Sequence, residues 1–146
     1  MSVPSPRAAT LPGEFFAPLP LAAVVAFVCN NWWAKRAFPG VVTGKVSDLL
    51  ACYFLPLFLS ACLFYVTRAS LRVRLAVGCA VTVAMMVLLK TSPRFSELHD
   101  LLLTSVWHPL RMQPSPNRVD PTDLVALPMV LLSWWSPQLT LTRQRA

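Results

Sequence analysis

Apolar and polar positions alternate along this chain in long blocks rather than in short periods. Four apolar blocks, residues 16–34, 49–67, 71–89 and 124–141, each predict a helix long enough to cross a bilayer core of about 30 Å at about 1.5 Å per residue. The second block, LLACYFLPLFLSACLFYVT, carries no charge, and the other segments are read as arranged around it. Between the third and fourth blocks the pattern changes. Phe95, Leu98, Leu102 and Val106 recur at spacings of three and four opposite Glu97, Asp100 and Ser105, which predicts an amphipathic helix over about 93–108 lying at the membrane interface or over the bundle. The predicted architecture is all-α: an integral membrane four-helix bundle, one domain over residues 1–146, with this interfacial helix between helices 3 and 4.

Local signals place the ends of these helices. Pro18 and Pro20 suit a first helical turn. Phe38-Pro39-Gly40 reads as a turn, with Ser47 as the N-cap of the second helix and Asp48 in its first turn. Pro56 predicts a kink or accommodation by neighbouring helices. Ser92-Pro93 opens the amphipathic helix. Asp120-Pro121-Thr122-Asp123 opens the fourth span with a cap, a proline and an acid in turn. Ala22, Ala26 and Asn30, and separately Ala76, Ala80 and Ala84, form small-residue stripes at spacing four where another helix could approach closely. Arg72 and Arg74 are expected to snorkel at the start of the third helix. Trp32, Trp33, Tyr53, Tyr65, Trp134 and Trp135 read as interfacial belts.

Composition agrees with a membrane protein. The chain is 55% hydrophobic and 13% charged, against about 25% charged in soluble domains, and its mean hydropathy is +0.56. The formal net charge of +7 arises from basic residues flanking apolar blocks, so it reads as topology and headgroup contact rather than nucleic-acid binding. Cys29, Cys52, Cys62 and Cys79 lie singly within apolar blocks, which fits buried apolar side chains and neither disulfides nor a metal site. No motif calls for a cofactor.

Four spans bring both termini to the side of the basic hairpin 67–74. Its Arg68, Arg72 and Arg74 point to a cytoplasmic location for that side. The opposite side gathers the starts of helices 2 and 4. Asp48, Asp123, Lys45, Asn30, Asp120, Arg118, His99 and Asp100 converge there, with Asp48 and Asp123 expected close together and Lys45 within reach of one of them. Asp48, Asp123, Lys45 and His99 are the candidate catalytic groups, and Asn30, Arg118 and Asp120 the candidate substrate-binding groups. The plainer account has the two aspartates capping helices and Lys45 neutralising them.

The segments Asn30, Phe38-Pro39-Gly40 and Thr43-Gly44-Lys45-Val46-Ser47-Asp48-Leu49, with Asp120-Pro121-Thr122-Asp123-Leu124-Val125-Ala126-Leu127-Pro128, resemble motifs of small, uncharacterised bacterial multi-pass membrane proteins. The resemblance covers about a quarter of the chain and implies a bacterial inner membrane, but no activity. Three functions stay open on the residues alone. The first is a non-catalytic scaffold or accessory subunit whose partners are the lipid bilayer and a membrane protein or a second copy. The second is a membrane-interface enzyme for a lipid-linked or anionic substrate, for which there is no nucleophile signature, HExxH or phosphate-binding glycine loop. The third is an oligomeric transport subunit, for which charges mid-membrane are missing.

Overall fold

The computed structural model describes residues 11–38, 40–107 and 119–143. Those residues are helical throughout their regular structure, and no strand occurs among them. In order they form α1 (Gly13–Phe16), α2 (Pro18–Cys29), a π-helix (Asn30–Ala34), α3 (Lys35–Ala37), α4 (Val41–Val66), α5 (Leu71–Thr91), α6 (Pro93–Trp107), a 3-10 helix (Pro121–Ala126) and α7 (Pro128–Arg143). Two of them, α4 and α5, are long and apolar enough to cross a membrane.

The other two expected spans are interrupted. The first is helical from Pro18 to Ala37, but Asn30–Ala34 adopts π geometry, which leaves α2 with 12 residues. The fourth opens as the 3-10 helix and continues as the 16 residues of α7 from Pro128. Pro128 has no N–H to donate into the preceding turn, which favours the change of helix type there.

Helix α4 is the centre and packs against α1, α2, α5 and α7. It begins at Val41 with Gly40 as N-cap, eight residues before the block 49–67. The expectation that Ser47 is the N-cap of this helix and Asp48 lies in its first turn is therefore corrected. Ser47 lies buried inside the helix, and Asp48 is beyond its first turn. The reason is tertiary: Asn30 donates to the Thr43 carbonyl at 2.7 Å and to Ser47 Oγ at 2.8 Å, giving this polar stretch partners along a helix face. Ala23, Tyr53, Leu57 and Leu75 pack as one core cluster, and Cys52, Met86, Ala126 and Val130 as a second. Tyr53 is thus a core residue, its hydroxyl 3.0 Å from Ser136 Oγ, and not part of a belt.

The alanine stripes turn outward. Ala76, Ala80 and Ala84 are exposed, as are Ala22 and Ala26, while Asn30 and Ala23 are buried. The buried face of α5 repeats through Leu75, Gly78, Thr82, Met86 and Leu89, about 160° round the helix from the stripe. Close approach occurs instead at Gly78. A Cβ there would lie 2.4 Å from the Pro56 carbonyl oxygen. Pro56 stays within a continuous α4, so the proline is accommodated by an α5 that offers no side chain at the crossing.

The outer surface of the bundle is apolar. Val25, Phe58, Val77, Val81, Leu131 and Leu132 are exposed, whereas Ser60, Thr82 and Ser133 are buried. Thr82 donates to the Gly78 carbonyl at 2.8 Å and Ser133 to that of Val130 at 2.7 Å, so these hydroxyls are satisfied within their own helices.

Replacing Gly78 by Ala is expected to destabilise the protein by about 1–3 kcal/mol, because backbone rather than a flexible side chain must move. Ala80→Leu, on the exposed stripe, is expected to stay within about 0.5 kcal/mol. Thermal unfolding of the two variants in detergent checks this order.

Candidate functional site

At one end of the bundle the start of α4, the end of α5 and the 3-10 helix bring four charges together. Lys90, in the last turn of α5, has its ammonium 2.9 Å from Asp48 Oδ2 and 2.9 Å from Asp123 Oδ2. Lys45, one turn before Asp48 on α4, donates to Asp123 Oδ1 at 2.9 Å and to Thr122 Oγ1 at 2.9 Å. The Lys90–Asp123 contact is an aligned hydrogen bond. The Lys90–Asp48 contact is an ion pair. Two ammonium groups and two carboxylates thus alternate as Lys45–Asp123–Lys90–Asp48.

Local sequence supports each placement. Lys45 and Asp48 are three residues apart and so share a helix face. Asp120 caps the 3-10 helix: its Oδ1 accepts from the Thr122 N–H at 2.9 Å and from Thr122 Oγ1 at 2.7 Å. These bonds, side chain before backbone, hold its carboxyl below the ordinary Asp range. Pro121 starts the 3-10 turn, which directs Asp123 inward, where it is buried. Burial acts to raise the pKa of Asp123. The hydrogen bonds and charges of Lys90 and Lys45 outweigh it, so the carboxyl titrates below its ordinary value.

The structure therefore brings together Asp48, Asp123 and Lys45, with Asp120 reaching them through Thr122. Asn30 belongs to a neighbouring neutral network: it donates to Ser47 Oγ, which donates in turn to Asn31 Oδ1 at 3.2 Å. His99 stands apart on α6, its Nδ1 3.2 Å from the carboxylate of the adjacent Asp100. Arg118 lies outside the described residues. The residue that sequence reasoning missed is Lys90, which closes the apolar block of α5. Its signal was positional: a lone cation closing α5 on the same side as two acids that need one.

A second charged pair, also missed, lies at the opposite end. Arg74 Nη2 is 3.2 Å from Glu14 Oε1, which also accepts from Ser60 Oγ at 3.0 Å. The guanidinium donates to the Ser60 carbonyl at 3.3 Å and sits 4.9 Å over the Phe64 ring. Arg74 is buried and does not snorkel, while Arg72 is exposed as expected. Glu14 draws it inward.

Chemically, the four-charge chain is self-neutralised. A carboxylate held ionised between two ammonium groups is a weak proton acceptor, so the arrangement favours holding helices together over exchanging protons. Among the described residues no three His, Cys, Asp or Glu side chains gather as a metal site.

Lys90→Met leaves the buried Asp123 and the half-buried Asp48 without the cation they share and is expected to cost about 3–5 kcal/mol of stability. Lys45→Met is expected to cost about 1 kcal/mol or less, because that side chain is 30% exposed against 5% for Lys90. Asp123 contributes its full stabilisation above the ordinary Asp value of about 3.9 and loses it as the pH falls through its depressed value. Acid unfolding followed in detergent is expected to show a shallower low-pH limb for Asp123→Asn than for the parent chain.

Comparisons of the chain with protein-family models, with curated proteins and with solved structures find no match.

Proposed function

We propose that this chain is a four-span protein of the bacterial inner membrane, with cytoplasmic termini, that serves as a non-catalytic scaffold or accessory subunit of a membrane complex. One observation carries the reading: polarity is inverted relative to a soluble protein. Only 33% and 39% of the most apolar windows of α4 and α5 are buried, whereas the core helix of a soluble protein would be mostly buried. Lys90, Asp123, Arg74 and six hydroxyl or amide side chains, Asn30, Ser47, Ser60, Thr82, Ser96 and Ser133, lie inside. A surface of this kind is stable against acyl chains and would aggregate in water. In this reading the π-helix segment and the 3-10 start of α7 complete the first and fourth spans, and α6 lies at the interface. The resemblance of the 30–50 and 120–128 segments to small bacterial multi-pass proteins supports the location.

The scaffold reading over the enzymatic one rests on the neutralised charge chain. Its carboxylate oxygens are taken up by lysines that tie three helix ends together, and His99 is not brought to them. Isolation of the tagged protein from native membranes tests this. A stoichiometric protein partner is expected, and it is expected to be retained by Lys45→Gln, a change at the half-exposed end of the chain. Recovery of a lipid-modifying activity abolished by Lys45→Gln would overturn the reading.

Topology has its own test. In a background lacking the native cysteines, Ala69→Cys in the basic hairpin is expected to resist a membrane-impermeant thiol reagent in intact cells and to label after permeabilisation. Labelling in intact cells would reverse the orientation.

A further inference from the structure

Sorting the cations at the clasp end by what they touch separates two groups. Lys45 and Lys90 are committed to Asp123 and Asp48. Lys35, Arg36 and Arg94 form no ion pair among the described residues, and Arg36 and Arg94 are exposed. Lys35 is half-buried at the end of the π-helix segment, near enough to Lys90 and Asp48 for both charges to act on it. Arg94 follows Lys90 by one helical turn's worth of chain, at the start of α6. The free cations therefore flank the clasp rather than join it.

Apolar groups surround them at the same level. Trp32 and Trp33 are exposed on the π-helix next to Lys35 and Arg36. Helix α6 packs against α5 with Ser96 buried, and its leucines turn away from the bundle: Leu98, Leu101 and Leu102 are 51%, 64% and 58% exposed. The amphipathic helix thus turns Leu98, Leu101 and Leu102 outward, while Phe95 and Leu103 are half-buried. At 15 residues, or about 22 Å, it is too short to span the bilayer. Outward leucines and tryptophans match the acyl boundary, and unpaired cations beside them match the phosphate level just above it.

We propose that this rim, formed by Lys35, Arg36 and Arg94 with Trp32, Trp33 and the outward leucines of α6, is a docking surface for the headgroups of anionic phospholipid. The proposal rests on the membrane reading above and adds a lipid class to it. Charge complementarity selects the occupant: the three cations have no acid paired to them, whereas the clasp lysines are already neutralised. A zwitterionic headgroup brings its own cation and leaves this positive rim uncompensated.

The test uses the full chain purified in a neutral detergent. Thermal unfolding is followed with added phosphatidylglycerol, with phosphatidylcholine of the same acyl chains, and with inorganic phosphate. Phosphatidylglycerol is expected to raise the midpoint by on the order of 5 °C, and the other two by much less. The variant K35Q/R36Q/R94Q is expected to lose that rise while keeping the parent midpoint without lipid. Should the triple variant not fold, R36Q/R94Q, at two exposed positions, is expected to lose most of the rise. An equal rise with phosphatidylcholine would show general lipid solvation and overturn the headgroup assignment. A rise with phosphate alone would show an anion site in place of a lipid surface, and a rise kept in full by the variants would place the lipid elsewhere. Alkaline carbonate extraction of membranes reports separately on the membrane reading: a chain that resists extraction yet gains nothing from phosphatidylglycerol refutes this inference alone.

Discussion

The ammonium of Lys90 stands between two carboxylates from different parts of the chain, and much of the architecture follows from it. Asp48 and Asp123 could not both remain ionised at close range at the edge of a low-dielectric layer without a cation between them. Lys90 supplies that cation from the last turn of α5, so the end of one helix is pinned to the beginnings of two others. Lys45 extends the alternation by one member and adds the Thr122 hydroxyl, which Asp120 orients. The cost of burying Lys90 and Asp123 is offset because each meets its opposite, and the helical start of α4 presents Lys45 and Asp48 on one face.

Two further contacts set how the helices are rotated and how far they extend. At Gly78 the backbone of α5 meets the Pro56 carbonyl, which fixes the face of α5 that points inward and sends Ala76, Ala80 and Ala84 outward. At the opposite end Glu14 reaches from the short α1 to Arg74 and Ser60, holding the start of the chain against α4 and α5. The bundle is therefore clasped by ion pairs at both ends and closely packed between them, with hydroxyls turned onto their own helix backbones. Such a core suits a protein whose outside is apolar, because polar groups gain more from partners inside than from lipid outside.

The same division of charge separates structure from recognition. Cations that meet an aspartate serve the fold and are unavailable to a ligand. Among the described residues Lys35, Arg36 and Arg94 meet none; Lys35 and Arg36 follow the exposed Trp32 and Trp33, and Arg94 starts the helix that carries the outward leucines. A rim can thus stay positive while the charges buried in the bundle sum to zero.

Part of the helical layout was legible in the residues: the two long apolar helices α4 and α5, Asp120 as a cap, Ser92 opening α6, and Asp48, Asp123 and Lys45 at one end of the bundle. Those features depend on composition, capping chemistry and chain direction, which are local. Other features were decided only by the tertiary structure. The π-helix at Asn30 and the early start of α4 arise from hydrogen bonds between residues up to 17 positions apart. The inward face of α5 is chosen by the Pro56–Gly78 crossing and not by alanine spacing, since both faces of that helix are small or apolar. Lys90 and Arg74 look alike in sequence, as cations at helix ends, and ordinarily such residues face water. What buries them is an acid brought from elsewhere in the chain, Asp48 and Asp123 for one and Glu14 for the other, and only the packing of the bundle determines which cation finds one.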